Sequence, residues 1–149
     1  MYQKILVAFD GSDTSKEALA EALRLARLTG GQVCAVHVME VLSRLGMGLI
    51  YIPPDLLDTY REAATQQLET ARAEAKALGV NCETQLLAPE NVNESVAECL
   101  QRCAAHYGAQ LVVLGPHGRR GVKRAFLGSV AEAFVRLSEC PVLLVRGES

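Results

Sequence analysis

Five short aliphatic runs, separated by longer stretches of helical periodicity, restrict this chain more than any other feature. The runs are KILVAF at 4–9, QVCAVHV at 32–38, CETQLL at 82–87, QLVVL at 110–114 and VLLV at 142–145. Short runs rich in Val, Ile and Leu read as strands, and those apolar on both faces read as strands covered on both sides. CETQLL alternates instead, as a half-exposed strand at a sheet edge does. Between the first two runs, residues 18, 19, 22, 23, 25 and 26 share a broad apolar face, and Gly30-Gly31 ends the pattern. From Asp55 to Leu78 the apolar positions Leu57, Tyr60, Ala64, Leu68, Ala71, Ala75 and Leu78 recur at three and four, with Gly79 closing the helix. A third helix starts at an Asn93 cap, runs to about Tyr107 and stops at Gly108. A short fourth carries Val130, Phe134 and Leu137 on one side and ends before Cys140-Pro141.

Strict alternation of strand and helix implies an α/β fold: a doubly wound five-stranded parallel sheet with helices on both faces. The 149 residues suit one domain, with no linker or repeat to divide it. Half the residues are hydrophobic but only 5% are aromatic and none is Trp, so the core is aliphatic. Residues 39–54 interrupt the pattern. Gly46, Gly48 and Pro53-Pro54 break it, while Leu45, Met47, Leu49, Ile50, Tyr51 and Ile52 keep it apolar, as in a lid, a contact surface or a loop packed on its own body.

Several function classes drop out. A net charge of −2 argues against a nucleic-acid coat or a basic membrane-surface protein. No run approaches the ~18 apolar residues of a membrane span. The N-terminal apolar run is too short for a signal-peptide core, which makes the cytoplasm the expected location. Five widely spaced Cys do not suggest a disulfide framework. Cys99 and Cys103 fall on a helical stripe with Val96, Leu100 and Tyr107, as buried thiols do; a redox or metal role is the alternative.

In a doubly wound sheet ligands sit beyond the carboxyl ends of the strands, where the winding reverses. That point lies between the first and fourth strands, which end at Asp10 and Gly115. Gly115-Pro-His-Gly118-Arg-Arg-Gly-Val-Lys-Arg-Ala-Phe-Leu-Gly128-Ser129-Val130 is neither a P-loop nor a dinucleotide fingerprint. Its glycines nevertheless allow backbone N–H groups to approach an anion, and Gly128-Ser129 opens a helix whose free N–H groups favour negative charge. The Ser129 hydroxyl is a further donor or else only the helix cap. Arg119, Arg120, Lys123 and Arg124 give residues 115–128 a local charge of +4, which leaves −6 on the remainder. A solvated loop is the plainer reading of that charge. Asp10 caps the following turn, or accepts ribose hydroxyls, or holds magnesium. His37 reads as a satisfied core residue, His106 as a surface one, and His117 as a weak phosphate candidate. No nucleophile–base set is visible.

Gly115, Gly118, Gly128 and Ser129 follow the spacing G-x2-G-x9-G-[ST], between an opening KILVAFDGS and a closing CPVLLVR. In these features nearly the whole chain resembles the universal stress protein family, in its nucleotide-binding branch. The resemblance implies a regulatory or stress-resistance homodimer that binds ATP or AMP, with magnesium as companion ion. Pairing would run through the C-terminal strand at 141–146, and an unidentified protein partner would read the occupied state. By position, Ala8 and Asp10 would lie beside the nucleoside. Val38 would offer backbone groups to the adenine edge, and Leu114 and Gly115 would line the ribose. Gly118, Gly128, Ser129 and Val130 would contact phosphate. Pro116 replaces a common Ser or Thr, Gln110 stands where Asp often precedes strand four, and the turn Ala88–Asn93 looks long. A dimeric interaction module with no nucleotide, and a slow ATPase, are the competing readings.

Overall fold

The three central aliphatic runs become strands covered on both faces, and CETQLL and VLL flank them at the sheet's edges. In the computed structural model, which describes residues 1–39, 53–116 and 128–146, the strands are β1 (Lys4–Ala8), β2 (Gln32–Val38), β3 (Cys82–Leu87), β4 (Leu111–Leu114) and β5 (Val142–Leu144). They pair in parallel in the order β3-β2-β1-β4-β5. The chain therefore winds outward from β1 to β3 and restarts on the other side with β4, which places the reversal between β1 and β4 as expected. The edge position foreseen for CETQLL is also observed.

Four described helices cover the sheet: α1 (Asp13–Thr29), α2 (Pro54–Ala77), α3 (Val96–Tyr107) and α4 (Ser129–Leu137). The two-residue period of β1 sorts its side chains between two cores. Ile5, Val7 and Phe9 pack with Ala18, Leu19, Ala22 and Leu23 of α1 and with Leu68, Ala71 and Ala75 of α2. Leu6 packs on the opposite face with Leu100, Cys103 and Tyr107 of α3 and Phe134 of α4. Small residues on the helices, mostly Ala, bring them close to a sheet whose side chains are branched, so few aromatics are needed.

The helix ends follow local chemistry. Ser12 caps α1, its side chain accepting from the Ser15 N–H, and Gly30 closes the helix in the left-handed conformation. Pro54 supplies the first residue of α2. The expected Asn93 cap on α3 is replaced by Ser95. Its hydroxyl takes the Glu98 N–H while the Glu98 carboxylate returns to the Ser95 N–H. Ser and Glu three residues apart form a reciprocal box that Asn93 has no Glu to complete. Asn93 instead donates its N–H to the Asn91 side chain inside the preceding turn. On α4 the buried residues are Ala131 and Phe134, whereas Leu137, expected on the same side, is 42% exposed. Leu137 is the last residue of that helix.

Candidate functional site

The first turn after β1 is built around Asp10. Its Oδ1 accepts the Ser12 N–H at 2.9 Å, which folds the chain back into the α1 cap. Gly11 between them has φ +81°, and a Cβ there would sit 2.7 Å from Gln67 Nε2 on α2. The turn therefore needs glycine for its left-handed backbone angle, while the Gln67 amide, the end of a flexible side chain, fills the space beside it. Capping and crevice-facing roles for Asp10 are compatible: one carboxylate oxygen holds the turn, and the residue stays half-buried at the sheet's carboxyl edge.

The end of β4 closes onto the same turn. A Cβ at Gly115 would lie 2.9 Å from both Cβ and Oγ1 of Thr14, in the first turn of α1. Only glycine lets the β4 backbone come this close to the first turn of α1, which follows the Asp10 turn. Pro116, which lacks an N–H, contributes its carbonyl: the Gly128 N–H donates to it at 2.6 Å. That bond draws the two ends of the glycine segment together. Gly118, His117 and the four basic residues at 119, 120, 123 and 124 lie outside the described residues, as do residues 40–52 of the apolar loop.

The α4 N-terminus follows directly. Gly128 is its cap, with no side-chain capping bond, and Ser129 is the first helical residue. Ser129 is therefore not the cap, and its residue is exposed in the first turn, whose N–H groups have no partner within the helix. Glu132 also stands in that turn, paired with Arg136 at 2.9 Å. Ala8, Val38, Leu114 and Val130 all pack with the core cluster on the α3–α4 face. Ala8, Val38 and Val130 are half-buried, whereas Leu114 is only 3% exposed and turns its side chain into the core. Of the nine residues expected at the site, eight are described, and the fold brings them to one end of the sheet.

Three contributors carried no sequence signal as site residues. Thr14 and Gln67 matter through close approach to Gly115 and Gly11, which only the packed structure displays. His37, expected to be a satisfied core residue, is satisfied: its Nδ1 lies 3.0 Å from the Phe9 carbonyl. It is half-buried and stands at the crevice end of β2 rather than deep in the core.

Metal and thiol chemistry have little to work with. Among the described residues no three His, Cys, Asp or Glu side chains converge. Asp10 fits magnesium only in the manner of sites that combine one carboxylate with ligand oxygens and water. Burial pushes the Cys99 thiol up to about 11 and raises Cys34 and Cys103 as well. These thiols stay protonated at neutral pH, as small hydrophobes do. Gln110 takes the place of the usual Asp without leaving a gap, since its side-chain oxygen accepts the Gln3 N–H at 2.6 Å. The long Ala88–Asn93 turn is held by Arg102, which reaches Glu94 at 2.8 Å, Glu90 at 3.4 Å and the Ala88 carbonyl at 3.4 Å.

A family model described as the universal stress protein family matches residues 1–146. The chain belongs to the universal stress protein family. The universal stress protein YxiE of Bacillus subtilis is 34% identical over 153 residues, covering 98% of this chain and all of the relative. A crystal structure of a family protein from Burkholderia pseudomallei superposes with a TM-score of 0.74 at 34% identity, over 97% of this chain and 96% of the other. A family structure from Archaeoglobus fulgidus in complex with dAMP superposes at 0.69 with 25% identity, over 97% and 98%. Membership explains why strands, turn and glycine segment occur together in one chain. Among the described residues no helix is long and apolar enough to cross a membrane.

Proposed function

We propose that the crevice between β1 and β4 binds an adenine nucleotide, ATP or AMP, and that occupancy rather than turnover is the protein's output. The observation that carries this reading is the closure of the glycine segment. Gly115 packs on Thr14, and the Gly128 N–H bonds the Pro116 carbonyl, so the start of α4 is tied to the end of β4, which itself lies against the first turn of α1. A helix N-terminus favours negative charge, and a carboxylate at the neighbouring strand end suits ribose hydroxyls. In the proposed complex Gly118, Gly128, Ser129 and Val130 contact phosphate, Asp10 and Ala8 flank the nucleoside, and Leu114 and Gly115 line the ribose through their backbone. Val38 meets the base edge. Magnesium, if bound, would take Asp10 as its carboxylate ligand and would neutralise phosphate charge. The family relative bound to dAMP supports an adenine ligand. The proposed form is a cytoplasmic homodimer joined through residues 141–146, whose nucleotide state is read by a partner protein.

Native mass spectrometry of the purified protein, followed by calorimetric ATP titration, tests the reading. A co-purifying adenine nucleotide or saturable heat supports it. No bound nucleotide and no heat at millimolar ATP sinks it. The variant Ser129→Glu places a negative charge at the helix N-terminus, and it should abolish the thermal stabilisation that ATP confers on the parent.

A further inference from the structure

Successive residues of a parallel strand turn their backbone groups to opposite neighbours. On β2 the odd-numbered residues face β3: Val33 N–H donates to Asn81 O at 3.0 Å and Met39 N–H to Leu87 O at 2.8 Å. The even-numbered residues face β1: Gln32 N–H donates to Gln3 O and Val36 O accepts from Phe9 N–H, each at 2.8 Å. The next rung on the β1 side would run from Val38 N–H to the Phe9 carbonyl. Among the described residues no backbone bond joins these two. The Phe9 carbonyl faces His37 Nδ1 at 3.0 Å instead. A carbonyl oxygen only accepts, so Nδ1 carries the hydrogen and donates it.

We propose that His37 is a positioning residue for base recognition: by taking the Phe9 carbonyl, it ends the β1–β2 ladder one rung early and leaves the Val38 N–H and C=O turned to the crevice. The inference rests on the adenine-nucleotide reading. The chemistry of the base supplies the reason for such a device. The Watson–Crick edge of adenine offers an acceptor at N1 beside a donor amine at N6, which one N–H and one C=O of a single extended residue can match. Hypoxanthine reverses the pattern, with N1–H and O6. A ladder that continued to Val38 would consume the donor that separates the two bases. The same imidazole also fixes the start of the Asp10 turn, because Phe9 is then held to β2 through both its N–H and its carbonyl.

The test compares AMP with inosine monophosphate on the full chain, by calorimetry, for wild type and the variants His37→Asn and His37→Gln. The Asn amide reaches the position of Nδ1, whereas the Gln amide reaches that of Nε2. One misplaced hydrogen-bonding group is worth roughly tenfold in affinity. Wild type and His37→Asn should therefore favour AMP by about that factor, and His37→Gln should lose most of the preference. Imidazole ¹⁵N shifts of wild type, which depend on neither variant folding, should place the His37 proton on Nδ1. An unchanged preference in His37→Gln, or a proton on Nε2, overturns the positioning role and leaves nucleotide binding standing. Binding of neither nucleotide by wild type overturns the nucleotide reading and, with it, the role of His37 in recognition.

Discussion

At the residue scale the site depends on places where a side chain is absent. Gly115 has no room for a Cβ against Thr14, at 2.9 Å. Gly115→Ala should destabilise the protein by about 1–3 kcal/mol, because the added methyl displaces well-packed neighbours. Urea unfolding measures that loss, and nucleotide affinity should fall with it as β4 moves off the Asp10 turn. Gly30, Gly79 and Gly108 are different: each has positive φ but open space where a Cβ would go. Alanine at Gly30 should lose only the left-handed backbone preference, about 1 kcal/mol. The buried thiols make a second residue-scale prediction. Cys34, Cys99 and Cys103 are at most 4% exposed and held protonated by burial. They should resist iodoacetamide in the native protein at neutral pH and react once it is unfolded, with mass spectrometry mapping the sites.

At the element scale the β3–α3 connection shows how a long turn stays ordered without glycine. Ser95 and Glu98 cap α3 reciprocally, so Ser95→Ala should lower stability by about 1 kcal/mol. Arg102 ties α3 back to the turn, donating to both oxygens of Glu94, at 2.8 Å and 3.2 Å. That bond holds the Glu94 carboxyl below the usual carboxylate range. A depressed folded pKa means the contribution is complete above the unfolded value, near ~4.3, and is lost as pH falls through the folded one. Stability measured from neutral pH down to below that value should therefore drop, and Glu94→Gln should flatten the drop, losing more at pH 7 than in acid. The alternation that marks CETQLL as an edge strand was legible in the sequence. The cap at Ser95 was also present there as a Ser-x-x-Glu pattern, with Asn93, another capping residue type, two positions earlier. Only the hydrogen bonds around residues 91–98 separate the two.

At the scale of the whole molecule β5 is the edge strand of the sheet among the described residues, and its bonding pattern decides which residues an assembly would use. Val112 N–H donates to Pro141 O and Val145 N–H to Leu114 O, at 3.0 Å and 2.9 Å. Odd-numbered residues of β5 therefore face β4, and Val142 and Leu144 present their backbone groups outward. Leu144→Pro removes an outward N–H and leaves the rungs to β4 in place. If the homodimer forms through 141–146, analytical ultracentrifugation should show the variant shifted to monomer with its circular dichroism retained. Exposed edges invite such pairing because their N–H and C=O groups lack partners.

Periodicity and glycine spacing in the sequence were enough to establish the parallel doubly wound sheet, the reversal between β1 and β4, and the placement of Asp10 and Gly115 at the same end of that sheet. These are consequences of burial and backbone freedom, which are local properties of residue type. The tertiary structure alone decided that Thr14 leaves no room for a Cβ at 115, that Ser129 begins α4 rather than capping it, and that His37 Nδ1 reaches the Phe9 carbonyl. Each of these depends on a distance between residues remote in sequence, or on which of several donors reaches an acceptor first. Such outcomes follow from packing the elements together, and residue pattern does not encode them one position at a time.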